Sequence, residues 1–167
     1  MTEADKQTQV KRGLRGVYFE RSYASDIDGT AGELRYRGYS IHDLAAHSTF
    51  EETTYLLLHG ELPNANELSA FDEQLKIARA LPPTLLDIIA SVREAHPMDV
   101  LRTGSSMLGN LEPEGDFSNQ NETADRILAA MPSIITYWYR FSHQGETIET
   151  ETDHPTMGGQ FLSLLTG

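Results

Sequence analysis

The run from Thr49 to Pro63, TFEETTYLLLHGELP, fixes a helix at both ends. Thr49 and Glu52 have the spacing of a capping box, in which each side chain satisfies a backbone N–H that the first helical turn leaves free. Leu56, Leu57 and Leu58 drive the burial of this helix, Gly60 supplies its C-terminal stop, and Pro63 prevents continuation. Just upstream, Glu33-Leu34-Arg35-Tyr36 alternates polar and apolar residues as a short half-buried strand does, and Gly38 breaks it. Ser40 then predicts a helix start, with Ile41, Leu44 and Ala45 on one face.

The same rules carry the rest of the chain. Residues 13–37 predict a small β element: Val17, Phe19 and Tyr23 alternate, Asp28-Gly29 and Gly32 turn, and Leu34 to Tyr36 return. Asp26 and Asp28 beside Gly29 lack the further oxygen ligands of a calcium loop, so they are read as turn residues. Asn64 or Asn66 caps a helix with Leu68, Phe71, Leu75 and Ala78 on one face, ended by Leu81-Pro82-Pro83. Thr84 is expected to cap the next helix, whose inward positions are Leu85, Ile88, Ile89 and Val92. His96-Pro97 stops it, and Met98 to Leu108 predicts a helix paired antiparallel with it, carrying Met98, Leu101, Gly104, Ser105 and Leu108 on adjoining turns. Leu111 to Gln120 is a surface loop. From Asn121 one helical phase runs through Ile127, Leu128, Met131, Ile134, Ile135 and Trp138 across Pro132, which predicts one long helix, kinked at Pro132 and ending near Gly145. An acidic loop from Glu146 to Asp153 leads to a last helix starting at Pro155, with Met157, Phe161, Leu162, Leu164 and Leu165 as its apolar set. The fold class is therefore all-α, multi-helical, with a small N-terminal β-hairpin, after a mobile polar tail at residues 1–12.

Composition removes several function classes. A formal charge of −12 argues against a nucleic-acid binder, which needs clustered cations on phosphates. No apolar run approaches the roughly 18 residues of a membrane span, so no membrane partner is expected, and the polar start of the chain predicts a cytoplasmic location. With no cysteine there is no thiolate nucleophile. The six histidines show no paired metal-ligand spacing, and no metal site is assigned.

Specific segments resemble a known family. Tyr36-Arg37-Gly38-Tyr39-Ser40-Ile41, Asp43-Leu44-Ala45, His47-Ser48-Thr49-Phe50-Glu51-Glu52 and Leu56 to Pro63 are similar to the N-terminal part of citrate synthase. His96 to Gly104, Tyr137-Trp138-Tyr139, Ser142 to Glu146 and Gly158 to Leu162 resemble its 2-methylcitrate synthase branch. The resemblance implies that residues 13–167 are the N-terminal part of the large domain, with the remainder and the small domain absent. It implies acyl-CoA and oxaloacetate as substrates of the complete enzyme, no tightly bound cofactor, and a homodimer formed through residues 84–108.

Such enzymes use an aspartate and two histidines to handle protons around the thioester and the ketone. The family's Gly-Pro-x-His-Gly-Gly and Gly-Phe-Gly-His loops do not occur here, so no catalytic residue is assigned. His59-Gly60 is read as a helix C-terminus, where histidine favours the dipole. His96 is read as a satisfied interface histidine, Tyr137-Trp138-Tyr139 as helix-packing material, and Asp99 with Arg102 as an intrahelical pair. Arg12 matches the family arginine that reaches a coenzyme A phosphate; with Lys11 and Arg15 it is read either as that contact or as ordinary solubilising charge. Two functions follow. The chain is a portion of a synthase without turnover of its own, or it is a non-catalytic partner that docks on a full-length synthase through residues 84–108.

Overall fold

The computed structural model describes Glu20 and Ser22–Gly167. Val17, Phe19, Lys11, Arg12 and Arg15 lie outside the described residues. Three short antiparallel strands come first, β1 (Ser25–Asp28), β2 (Glu33–Tyr36) and β3 (Tyr39–Ser40), in the order β1-β2-β3. Ile27 pairs with Leu34 and Tyr36 with Tyr39. The strand paired with Glu33–Tyr36 is Ser25–Asp28, four residues that are all exposed, while Val17 and Phe19 of the expected alternation lie outside the described residues. An all-exposed strand has no inward face, so it leaves no alternation to read. Asp28 Oδ1 accepts from the Thr30 and Ala31 N–H groups at 2.9 and 3.0 Å, closing the expected turn. Arg37 and Gly38 both have positive φ, 48° and 91°, as a two-residue hairpin turn between twisted strands requires.

Seven α-helices follow among the described residues. Ser40 caps α1 (Ile41–His47), the Thr49/Glu52 box caps α2 (Phe50–His59), and Gly60, with φ 97°, ends it. Asn64 and Glu67 form a second capping box on α3 (Ala65–Ile77). At α4 (Pro83–Ser91) Pro82 precedes the first turn with no side-chain cap, and Thr84 lies inside the helix. The cap residue Pro82 has no side-chain acceptor, and Pro83 at the first helical position leaves one fewer free N–H in that turn. His96 caps α5, which runs past Gly109 over Pro97–Leu111. α6 (Gln120–Tyr139) is unbroken across Pro132, continues as a π-helical turn over Arg140–Gln144, and stops at Gly145 with φ 72°. The last helix, α7 (Met157–Thr166), starts two residues after the expected Pro155, capped by Thr156.

The central helix is α6, which packs against α3, α4, α5 and α7. Leu81, Leu85 and Ile89 meet Val100 and Leu108 of α5 and Ala130, Ile134, Tyr137 and Trp138 of α6 in one core. Phe71 and Leu75 of α3 meet Ala129 and Met157 in a second. Each fully buried Leu or Ile contributes roughly 1.5–3 kcal/mol of transfer free energy, so these two clusters hold the helices together. Two expected faces are corrected. On α5 the inward residues are Val100, Gly104 and Leu108, while Met98 is 65% exposed; on α7 they are Met157, Gln160 and Leu164, while Leu162 is 59% exposed.

Candidate functional site

Burial of charge marks the most unusual place in the molecule. Arg79 follows Phe71 and Leu75 at intervals of one helical turn and inherits their inward direction, so its side chain is buried. Its Nη1 donates to the Thr152 carbonyl at 3.1 Å, the Thr152 hydroxyl at 3.3 Å and the His154 carbonyl at 2.6 Å. Glu51, in the first turn of α2, is also buried, and its Oε1 accepts from the Met157 N–H at 2.8 Å. Burial lowers the pKa of the Arg79 guanidinium, against the attraction of Glu51 and Asp72. Burial raises the Asp72 carboxyl, and the charge of Glu51 adds to the effect.

These contacts fasten the segment between α6 and α7. Arg140 pairs with Glu146 at one end, the Thr150 hydroxyl accepts from the Leu81 N–H at 3.1 Å, and Arg79 holds Thr152 and His154. The acidic stretch is therefore a strap laid over α3 and α4, with Thr150 buried. The His154 imidazole lies where a Cβ on Gly159 would sit, 1.8 Å from its Cε1, so the ring rests directly on the first turn of α7. Arg79 and Glu51 went unread in the sequence. The signal was an arginine in the next register of an apolar stripe.

Several other arginines in the described residues have acceptors within the chain, while Arg93 lies over the Phe141 ring at 5.7 Å. Arg126 grips both oxygens of Glu112 at 2.8 and 2.9 Å and donates to the Ala78 carbonyl. That pairing holds the Glu112 carboxyl below its usual range. Arg37 donates to the Leu57 carbonyl at 2.9 Å, Arg140 to the Leu165 carbonyl at 3.3 Å, and Arg102 meets Asp99 at 2.9 Å as the expected intrahelical pair. The geometry thus uses these cations to tie elements together, in place of converging them on a free anion site. Arg12, the one residue read as a ligand contact, lies outside the described residues.

The histidines are dispersed. His59 stacks on Tyr55 with ring centroids 4.2 Å apart at the end of α2. His96 Nδ1 accepts from the Met98 N–H at 3.2 Å, so it is an exposed helix cap. His143 stacks on Tyr139 and meets Trp138 edge-on. No group of three His, Cys, Asp or Glu able to hold a metal occurs among the described residues. Tyr137 and Trp138 are core residues, and the indole N–H donates to the Arg93 carbonyl at 3.1 Å. Asp125 is buried with Oδ2 accepting from Gln74 at 2.9 Å, and burial raises its carboxyl. No described helix is long and apolar enough to cross a membrane.

Three kinds of likeness to known proteins accompany this geometry. The family model described as citrate synthase, C-terminal domain, matches residues 13–167. A 2-methylcitrate synthase of Shewanella oneidensis is 51% identical over 168 residues, an alignment that takes in 100% of this chain and 44% of that protein. The crystal structure of citrate synthase from Pyrobaculum aerophilum is 32% identical, with a TM-score of 0.86 over 92% of this chain and 41% of its own. A Thermoplasma acidophilum citrate synthase, described as a ternary complex with carboxymethyl coenzyme A and oxaloacetate, shares the fold at a TM-score of 0.82 and 23% identity. It covers 93% of this chain, which takes up 42% of that one. The chain spans less than half the length of each of these relatives.

Proposed function

The chain belongs to the citrate synthase family, and on that premise we propose that it is the N-terminal, large-domain portion of a 2-methylcitrate or citrate synthase. The complete enzyme condenses propionyl-CoA or acetyl-CoA with oxaloacetate, releases coenzyme A, and works as a homodimer through residues 84–108. The observation that carries this reading is the 51% identity, end to end, with a 2-methylcitrate synthase. That identity favours propionyl-CoA. The ternary complex described for the Thermoplasma relative supports coenzyme A and oxaloacetate as the ligand classes. Placement toward the N-terminal side rests on the segments from Tyr36 to Pro63 and on the catalytic loop motifs that this sequence does not contain.

In this reading the 167 residues supply frame and mating surface, and turnover needs polypeptide that carries the proton-handling histidines and aspartate. The buried Leu85, Ile89, Val100 and Leu108 fix α4 and α5 against α6, which leaves Met98 and its neighbours to face a second subunit. Arg12 is assigned to a phosphate of coenzyme A. The test is thiol release from propionyl-CoA and oxaloacetate by the purified chain. No release is expected, and a rate that disappears when oxaloacetate is omitted overturns the proposal.

A further inference from the structure

We propose that Glu51, Asp72 and Arg79 form a proton-responsive clasp that grips the strap and the first turn of α7 more firmly as the pH falls.

These three side chains meet where α2, α3, the strap and α7 join. Glu51 is 6% exposed, and its Oε1 holds the Met157 N–H at 2.8 Å. Arg79 is 1% exposed; its Nη1 serves the Thr152 and His154 carbonyls, its Nη2 approaches the Met157 sulfur at 4.0 Å, and its Nε is buried with no partner. Asp72 lies two helical turns before Arg79, and its Oδ1 is likewise buried with no hydrogen-bond donor. The guanidinium thus directs its donors to the strap, and two carboxylates outnumber it. A buried carboxylate oxygen without a donor disfavours the ionised form, so one proton removes both the excess charge and the unsolvated anion.

The charges around Asp72 come from several elements. Burial raises its carboxyl, Glu51 of α2 adds to this, Lys76 opposes it, and Glu73 and Arg79 make smaller contributions of opposite sign. The strap brings Asp153, whose charge reaches Arg79, and His154, whose Nδ1 accepts from the Thr156 N–H at 3.4 Å. From α6, Asp125 is held by Gln74 and Arg126 by Glu112, while α7 carries no ionisable side chain. Opening the strap returns Asp72 to water, where its carboxyl takes the ordinary value of 3.8, so the closed form binds the proton more tightly. Closure is therefore favoured as pH falls through the raised value; the gain is complete below 3.8 and is lost as pH rises.

The test is amide hydrogen exchange on the whole chain, read as protection factors so that the intrinsic pH dependence of exchange cancels. Between pH 7 and pH 5, protection at residues 150–157 is expected to rise about threefold or more relative to Ile134 to Trp138 of α6. Asp72→Asn removes the titrating group and is expected to abolish the rise. Glu51→Gln keeps an acceptor for the Met157 N–H but takes away the second negative charge, and is expected to reduce the rise at least by half; it decides the matter should Asp72→Asn lose the wild-type thermal transition. Histidine also titrates in this interval, but the clasp does not use the His154 ring, so His154→Gln is expected to keep the rise. Level or falling protection in the wild type overturns the proposal, as does a full rise in Asp72→Asn or Glu51→Gln, or its disappearance in His154→Gln.

Discussion

A Cβ placed on Gly104 would lie 2.9 Å from Cγ2 of Ile134, so α5 and α6 touch at this point with no room for a methyl group. Gly104→Ala gains about 1 kcal/mol of helix propensity and loses roughly 1–3 kcal/mol to overpacking. A net loss is expected in urea denaturation, partly recovered in the Gly104→Ala/Ile134→Val double variant. A single variant as stable as wild type contradicts the contact.

Arg79→Met keeps the volume and removes the donors that hold the Thr152 and His154 carbonyls. Losing these part-buried bonds from a charged donor costs about 1–3 kcal/mol, and the freed strap should exchange its amides faster than α6 does. Unchanged protection at residues 150–154 in hydrogen exchange refutes the fastening role.

Asp125 has its carboxyl raised by burial, so the folded chain binds that proton more readily than the unfolded chain. In its ionised form the buried carboxylate opposes folding; the opposition fades as pH falls from above the folded pKa toward the unfolded value of 3.8. Wild-type stability minus that of Asp125→Asn should therefore increase between pH 7 and pH 4. Glu112 runs the other way, because Arg126 holds its carboxyl down and that stability is lost on acidification. Paired denaturation curves check both signs, over pH 7 to 4 for Asp125 and from the unfolded value of 4.5 downward for Glu112.

Thr49→Ala deletes half of the capping box on α2, where the Thr49 hydroxyl accepts from the Glu52 N–H at 3.1 Å and Glu52 accepts from the Thr49 N–H at 2.7 Å. The expected cost is about 1 kcal/mol in a thermal or urea transition. Thr84→Ala, at a position that caps nothing, should change stability little.

The family likeness, the helical class and most helix ends were legible in the sequence, whereas the buried charge network was not. The one residue read as a ligand contact, Arg12, falls outside the described residues. Arg79 sat in plain view after Phe71 and Leu75, but an arginine at that spacing reads equally as the solvated end of a helix until its acceptors, more than 70 residues away, are placed.

Sequence by itself determined what depends on neighbours: the capping boxes at Thr49 and Asn64, the stops at Gly60 and Gly145, and the unbroken phase across Pro132. Each is a bond or a dihedral set within one helical turn, so the residues alongside specify it. Tertiary structure decided which side of α5 and α7 turns inward, where β1 lies, and why Glu51 is buried, because its partner Met157 is 106 positions away. An amphipathic pattern names an apolar stripe, but burial is a relation between two surfaces. Only the packed neighbour selects Met157, Gln160 and Leu164 over Phe161 and Leu162.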